Sequence, residues 1–198
     1  MDTYDRRLDY GNADFDIPQR LTGSFTYNPP IRAAGFLGRA VNGWQLNGIL
    51  SLYDGLPFSV QSASNTLNTG GTSRASYVPG AGNGTLPSGQ QSVQEWFNVA
   101  AFSAPGTLLY GDAGRNILRG PGTHEMDVSL FKNFQFHPDS LKKIQIRAEV
   151  FNITNTPQFN NPVNTIGAAG AGSITSAGSP YTLQRLSREI QLATKFYF

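Results

Sequence analysis

Five segments of the chain alternate apolar and polar residues with a period of two, as strands with one apolar face do. They are Gln19–Tyr27, Gly43–Tyr53, Glu125–Phe136, Lys143–Phe151 and Ser187–Phe198. Each is about ten residues long, enough for a tilted strand to cross a bilayer, whereas strands of soluble proteins average about five or six residues. Apolar residues at helical spacing are nearly missing. The pattern predicts an all-β fold of long antiparallel strands, and strand length favours a transmembrane barrel over a soluble sandwich.

The connections between these segments alternate between short and long. Pro29–Asn42 and His137–Lys142 are short and contain turn-forming residues, while Asp54–Thr123 and Asn152–Arg188 are long and rich in Gly, Ser, Thr and Asn. Outer-membrane barrels have short periplasmic turns and longer extracellular loops. If the last strand runs toward the periplasm, counting back places both long connections outside the cell and both short ones inside.

Five strands are too few to close a membrane barrel, because the smallest bacterial forms have about eight. An open sheet in lipid would leave the backbone N–H and C=O groups of its edges unpaired, which is costly in free energy. We therefore expect this chain to be a fragment that supplies part of a larger barrel wall.

Composition favours surfaces that meet lipid on one side and water on the other. Charged residues make up only 14% of the 198 residues, whereas about 25% is usual in soluble domains. The net charge of +2, without a long run of Lys or Arg, argues against nucleic acid as a partner. The N-terminal residues lack the apolar stretch of a signal peptide, so we expect an exported precursor to extend further upstream.

The residue patterns of catalytic and metal sites are missing or wrongly spaced. The chain has no cysteine, which excludes thiol catalysis, disulfides and Cys-based zinc sites. His124–Glu125 opens like a zinc-protease motif, but Val128 stands where the second histidine is needed. The glycine-rich segment Gly111–Gly122 lacks the Gly-Lys-Ser/Thr ending of a phosphate-binding loop, so it predicts a tight turn leading into a strand. We expect no enzyme activity, no cofactor and no metal.

Phrases spread along most of the chain carry a family resemblance. They are Phe15–Phe25, Gly43–Val60, Trp96–Pro105, Gly111–Gly122, Asp127–Phe134, Ile146–Phe159 and Arg188–Phe198. In this order they resemble the C-terminal barrel region of TonB-dependent receptors of the Oar-like kind, often described with a carboxypeptidase-regulatory-like N-terminal domain.

The resemblance implies that residues 1–198 belong to a barrel of about 22 strands in the bacterial outer membrane, whose plug and N-terminal strands lie outside these residues. It also implies TonB-dependent transport of a substrate that it does not identify. The TonB complex would contact a box near the mature N-terminus, again outside these residues.

The final strand is a candidate signal for the barrel-assembly machinery, which docks an exposed strand by β-augmentation. The residues concerned are Phe198, Tyr197, Phe196, Leu192 and Ile190. The alternative is an ordinary amphipathic terminal strand that happens to end in Phe. The four other amphipathic strands of the chain favour the interpretation as an assembly signal.

Aromatic residues near predicted strand ends form a candidate interface girdle, in which amphipathic rings lie at headgroup depth. The main candidates are Phe25, Tyr27, Trp44, Phe134 and Phe136. The alternative is the core of a soluble sandwich. Outer-membrane lipid is the expected partner of this girdle and of the apolar faces of the strands.

Lys143, Gln145, Arg147 and Glu149 lie on one strand face and are candidates for the lumen of a barrel. Most charges in such positions pair with neighbouring strands rather than with a substrate. Lys132 is unusual, because strict alternation from Leu130 places it toward lipid. Either Lys132 extends to the membrane interface or a bulge changes its face.

Arg74, Arg115 and Arg119 are weak candidates for ligand binding in the long connections. Two functional alternatives stay open. The first is a soluble all-β carbohydrate-binding module, with Trp44 and Trp96 as stacking platforms. The second is a small non-transporting surface protein whose barrel is completed by self-association.

Overall fold

The computed structural model describes residues 6–64, 67, 73–136, 142–178 and 186–198. The elements along the chain are the 3-10 helix Arg7–Asp9, β1 Arg20–Tyr27, α1 Gly35–Val41, β2 Trp44–Tyr53, β3 Pro57–Phe58, β4 Gln61–Ser62, β5 Ser73–Arg74, β6 Ser76–Tyr77, the 3-10 helix Val99–Ala101, β7 Phe102–Ser103, β8 Leu118–Arg119, β9 Thr123–Gln135, β10 Lys143–Phe151, β11 Thr165–Ile166 and β12 Glu189–Tyr197. The chain divides into two compact units.

The first unit, which we call the strand unit, comprises Arg20–Tyr53, His124–Pro157 and Leu183–Phe198. It contains a five-stranded sheet in the order β1-β2-β9-β10-β12. The five predicted antiparallel strands are confirmed, and they lie side by side in the order of the sequence. Four of the five begin or end one or two residues away from the predicted boundaries.

All neighbouring strands of this sheet are antiparallel. The β1–β2, β9–β10 and β10–β12 pairs have unbroken antiparallel registers. Between β2 and β9, the Asn133 N–H donates to the Gly43 carbonyl and Asn47 Nδ2 donates to Ser129 Oγ. Moving four residues forward in the sequence, from Gly43 to Asn47, thus corresponds to moving four residues backward along β9, from Asn133 to Ser129. The strands β2 and β9 are therefore antiparallel. Because four antiparallel steps separate them, β1 and β12 run in the same direction.

The sheet is open in the described residues, with β1 at one edge and β12 at the other. A closed barrel is therefore not formed by this part of the chain. The turn between β9 and β10, predicted at His137–Lys142, lies outside the described residues except for Lys142.

The short connection Pro29–Asn42 contains α1, a helix that the sequence pattern did not predict. The Asn42 side chain stabilises it by accepting from the Ala33 N–H at 2.9 Å and donating to the Ala33 carbonyl at 2.8 Å. Phe36 and Leu37 are exposed rather than packed against the sheet. A seven-residue helix without a buried stripe leaves no periodic signal in the sequence.

The second unit, which we call the loop unit, comprises Met1–Gln19, Asp54–Thr123 and Gln158–Thr182. It contains the short pairs β3–β8 and β6–β7 and the three-stranded sheet β11-β4-β5. Its core consists of buried apolar side chains: Phe58, Val60, Ala75, Phe97, Ala101, Phe102, Ala113 and Leu118. The long connections, expected to be loops, therefore pack around a hydrophobic core of their own.

The aromatic rings of this core pack at tilted and edge-on angles. The Phe97 ring centroid lies 5.7 Å from that of Phe58 and 6.0 Å from that of Phe102. Gly111–Gly122 was predicted as a tight turn before a strand, and it contains β8, only two residues long, shortly before β9. Two-residue strands are too short to show alternation, which explains why the sequence patterns did not reveal this unit.

Candidate functional site

One face of the five-stranded sheet is apolar. The registers align Leu130, Ala148 and Leu192 in one row across β9, β10 and β12, and Leu21 with Leu52 across β1 and β2. Many side chains on this face are exposed: Leu21, Phe25, Tyr27, Leu130, Phe134, Phe136, Ile146, Ile190, Leu192, Phe196 and Phe198. Exposure of Leu192 reaches 76%. A contiguous exposed apolar surface of this kind marks contact with a membrane or another protein.

The predicted girdle residues gather at the end of the sheet that carries the short connections. Tyr27 ends β1, Trp44 begins β2 and Phe134 is the last residue but one of β9. Phe136 follows β9 directly, and Phe25 precedes Tyr27 on the same face. The structure thus places these rings together, and their role at a membrane interface stays a prediction.

Phe25 has a defined place within this apolar face. It pairs with Gly48 of β2, and a Cβ atom built on Gly48 would lie 2.2 Å from Cε1 of the Phe25 ring. The ring therefore lies over the glycine, which leaves room for it. Gly23, two residues before Phe25, has open space where its Cβ would be.

Lys132 lies on the apolar face, and the structure decides between the two explanations for its position. The β9–β10 register runs through Lys132↔Ile146 without a bulge. The Lys132 ammonium donates to the carbonyl of Ala40 at 2.8 Å and to the carbonyl of Asn42. Its side chain therefore extends along the apolar surface to polar groups at the C-terminal end of α1, while the carbon chain stays buried.

The opposite face of the sheet carries a polar network centred on Gln145, which is 5% exposed. Gln145 Nε2 donates to Asn133 Oδ1 at 2.8 Å, and Gln145 Oε1 accepts from Arg147 Nε at 2.6 Å. The Tyr197 hydroxyl also reaches Gln145 Oε1, at 3.4 Å. The structure therefore brings two of the four candidate lumen residues into one hydrogen-bonded group.

The charged members of that set are also engaged by neighbours on their own sheet. The Arg147 guanidinium carbon lies 4.3 Å from the Phe131 ring centroid, and Arg147 Nη1 lies 4.0 Å from Glu149 Oε1. Lys143 Nζ lies 4.7 Å from the Tyr197 ring centroid. These contacts agree with the expectation that most charges on this face pair with neighbouring side chains. The contact with Arg147 also explains why Phe131 occurs on the polar face.

The last strand divides its side chains between the two faces. Ile190, Leu192 and Phe196 lie on the apolar face and are exposed. Tyr197 lies on the polar face, directly opposite Lys143 of β10. Because β12 is an edge strand, one row of its backbone groups faces outward. This geometry suits strand addition, and the assembly signal stays a prediction.

In the loop unit, the three arginines singled out from the sequence are each paired with an aspartate near the N-terminus. Their partners are Asp9 for Arg74, Asp14 for Arg115 at 3.1 Å, and Asp16 for Arg119. Arg74 also donates to the carbonyls of Leu8 and Ala113, and Arg119 to those of Asp16 and Gly55. These side chains attach the N-terminal segment, and a role in ligand binding stays a prediction.

Asn116 completes this attachment. Its Nδ2 donates to Asp14 Oδ1 and to the Asn12 carbonyl, both at 2.7 Å. The hydrogen bond from Asn116, followed by that from Arg115, holds the pKa of the Asp14 carboxyl below its ordinary value. Asn116 has a left-handed backbone with φ of 52°, and asparagine tolerates that conformation. Sequence reasoning missed Asn116 and Asp9, and only the cluster of aspartates before Pro18 could have drawn attention to the segment.

Groups suited to metal binding do not occur within the described part of the chain: no three His, Cys, Asp or Glu side chains come together. Across the same residues, no helix has the length and hydropathy of a membrane span. Trp96, the other proposed stacking platform, donates from Nε1 to the Arg119 carbonyl at 2.8 Å and packs against the loop-unit core.

The model of the family described as outer membrane beta barrel domain matches residues 1–191. Neither a curated protein nor a solved structure matches the chain.

Proposed function

Because the chain belongs to the outer membrane beta barrel domain family and is a protein of the bacterial outer membrane, we propose that it forms the C-terminal barrel wall of a TonB-dependent transporter. The transporter would be of the Oar-like kind. The observation that carries this proposal is the two-faced sheet, exposed and apolar on one side and polar on the other. In a barrel, the apolar face meets lipid and the polar face lines the lumen.

Strand geometry supports a membrane-spanning role. The five strands contain 8, 10, 13, 9 and 9 residues, and about nine to eleven residues suffice to cross a bilayer at a tilt. The aromatic rings at the short-connection end suit the periplasmic interface. The long connections then belong to the extracellular side.

The polar face supports passage of a hydrophilic substrate. Lys143, Gln145, Arg147 and Glu149 lie on this face. Their contacts with one another and with Phe131 and Tyr197 hold these polar groups in place on the surface that would line the lumen. We propose that transport in this part of the molecule uses binding by polar groups and no bond chemistry. The plug and the segment that contacts the TonB complex would lie outside these residues, and the barrel-assembly machinery would recognise β12.

A cysteine-labelling experiment tests the wall assignment, because the chain has no natural cysteine. Ser129→Cys lies on the polar face and Leu130→Cys, the next residue, on the apolar face. In outer-membrane vesicles, a membrane-impermeant maleimide should label Ser129→Cys and leave Leu130→Cys unreacted, while both react after unfolding in detergent and urea. Equal labelling of both sites in intact membranes would refute a lipid-facing apolar surface.

The TonB-dependent part needs its own experiment. The product of the complete gene, cross-linked in its own cells with formaldehyde, should yield an adduct with TonB that disappears when the TonB gene is deleted. A product that enters the outer membrane and forms no such adduct would retain the barrel assignment and reject energised transport.

The two alternatives fit less well. A soluble carbohydrate-binding module would leave the apolar face of five strands in water, and both tryptophans already donate their indole N–H to backbone carbonyls. A ring of identical copies would join β12 to β1 of the next copy. These edges run in the same direction, whereas membrane barrels of this class pair antiparallel strands.

A further inference from the structure

A groove of about 800 Å³ opens between α1 and the adjoining ends of β9 and β10. Arg39 of α1 and Lys143 of β10 line it, together with the amide side chains of Asn42, Asn133 and Gln135. Phe134 and Phe136 also line it. The groove thus joins polar donors to aromatic rings at the short-connection end of the sheet.

The charge of the groove favours an anion. Among its described lining residues there are two cations, three amides and no carboxylate. Arg39 is exposed and makes no ion pair with a described residue. Guanidinium and ammonium groups are the usual partners of phosphate oxygens. Gln135 adds a neutral amide donor, whereas the Asn42 amide already donates to the Ala33 carbonyl and the Asn133 amide to the Gly43 carbonyl.

The surroundings of the groove favour an anion that carries an apolar part. Phe134 and Phe136, which line the groove, are 38% and 69% exposed. The C-terminal carbonyl of Ala40 in α1 accepts from Trp44 and Lys132, two side chains of the apolar face. The apolar rim of the groove is therefore continuous with the surface proposed to meet lipid.

From this arrangement we infer that the groove binds the phosphate group of an anionic phospholipid in the periplasmic leaflet. Arg39 and Lys143, the first residue of β10, contact the phosphate at the end of the sheet. Gln135 binds the rest of the headgroup, and the acyl chains lie along Phe134, Phe136 and the apolar face. This inference rests on the proposed function, because it requires the apolar face to lie in a bilayer. A soluble phosphate ion would use the same cations but not the apolar rim.

Native mass spectrometry of the full chain released from detergent micelles tests the inference. Dioleoyl-phosphatidylglycerol, with one net negative charge, is compared with zwitterionic dioleoyl-phosphatidylcholine. The wild-type chain should retain the anionic lipid preferentially. Arg39→Gln should reduce the bound fraction of the anionic lipid about five-fold. Arg39→Gln/Lys143→Gln should reduce it about five-fold further, because each cation contributes separately.

Arg32→Gln is the matched control, since Arg32 is an exposed cation on the same connection that does not line the groove. It should leave lipid retention unchanged. Equal retention of the two lipids, or an equal loss in Arg32→Gln, would overturn the inference. Millimolar inorganic phosphate should neither displace the lipid nor form an adduct, and a phosphate adduct that replaces the lipid would instead identify a site for soluble anions.

The cysteine labelling of positions 129 and 130 distinguishes failure of the groove inference from failure of the proposed function. If Leu130→Cys is protected in membranes and the lipids bind equally well, only the groove inference fails. If both cysteines are labelled equally, the proposed function fails, and the groove inference fails with it.

Discussion

The Lys132 ammonium lies 5.1 Å from the centroid of the Trp44 ring, and both side chains donate a hydrogen bond to the carbonyl oxygen of Ala40. Helix C-terminal carbonyls have no partner within the helix and attract cations. The pair therefore ties α1 to the apolar face of the sheet. A lysine on the apolar face thereby reaches polar partners, the carbonyls of Ala40 and Asn42.

Replacing Lys132 by methionine should destabilise the strand unit by about 1–2 kcal/mol. A hydrogen bond to a charged group contributes about 1.5–3 kcal/mol, while relief from placing a cation near the interface returns about 0–1 kcal/mol. Urea titration of the folded form in micelles, followed by gel mobility, measures the difference. Lys195→Met on the polar face is the control and should change stability little. A more stable Lys132→Met protein would contradict the role assigned to this lysine.

The packing of Phe25 over Gly48 gives a second prediction. An alanine at position 48 should displace the ring and lower stability by about 1 kcal/mol, the contribution of a cross-strand aromatic pair. Because Phe25 is 46% exposed, it can swing aside, so folding should survive. Gly23→Ala, where the added methyl meets nothing within 4 Å, should be neutral or slightly stabilising. Equal effects of the two substitutions in the same urea titration would be inconsistent with the contact.

The three arginine–aspartate pairs of the loop unit should differ in strength. The Arg74 and Asp9 side chains are 14% and 24% exposed, whereas those of Arg115 and Asp14 are 37% and 67% exposed. Arg74→Met should therefore destabilise the loop unit by about 1–3 kcal/mol, since it leaves a half-buried carboxylate unpaired. Arg115→Met should cost less than about 1 kcal/mol.

Trp96 fluorescence reports on the loop unit in a Trp44→Phe background, because the chain has only two tryptophans. Thermal unfolding followed in this way ranks the two arginine variants. An Arg115→Met variant that unfolds at a lower temperature than Arg74→Met would reverse the expected order.

Asp14 predicts a pH dependence of the attachment of the N-terminal segment. Its pKa in the folded protein lies below the ordinary value of 3.8, so the charged carboxylate contributes stability above that value, and the contribution is lost as pH falls through the folded pKa. The effect should be small because the side chain is largely exposed. Asp14→Asn should unfold at a slightly lower temperature than the wild type at pH 7, and this difference should shrink at pH 3. A difference that grows on acidification would refute the assignment.

The alternation of apolar and polar residues determined the long strands and the face that each side chain takes. Side chains on a strand alternate strictly, so Leu130 and Ser129 must lie on opposite faces whatever the rest of the chain does. The same rule placed Lys132 on the apolar face, and the alternating directions of the strands followed from the order of the segments. These features depend on neighbouring residues, which a sequence displays directly.

Only the tertiary structure decided which distant side chains meet. Arg119 and Asp16 are 103 residues apart in the sequence, and Lys132 and Ala40 are 92 residues apart. The core around Phe97 assembles from two-residue strands and from the irregular segments between them. No periodic pattern records such contacts, because they depend on the register between strands and on the path of long connections. The local rule of alternation therefore predicted the five-stranded sheet, while long-range packing decided the contact of Lys132 with α1 and the folded loop unit.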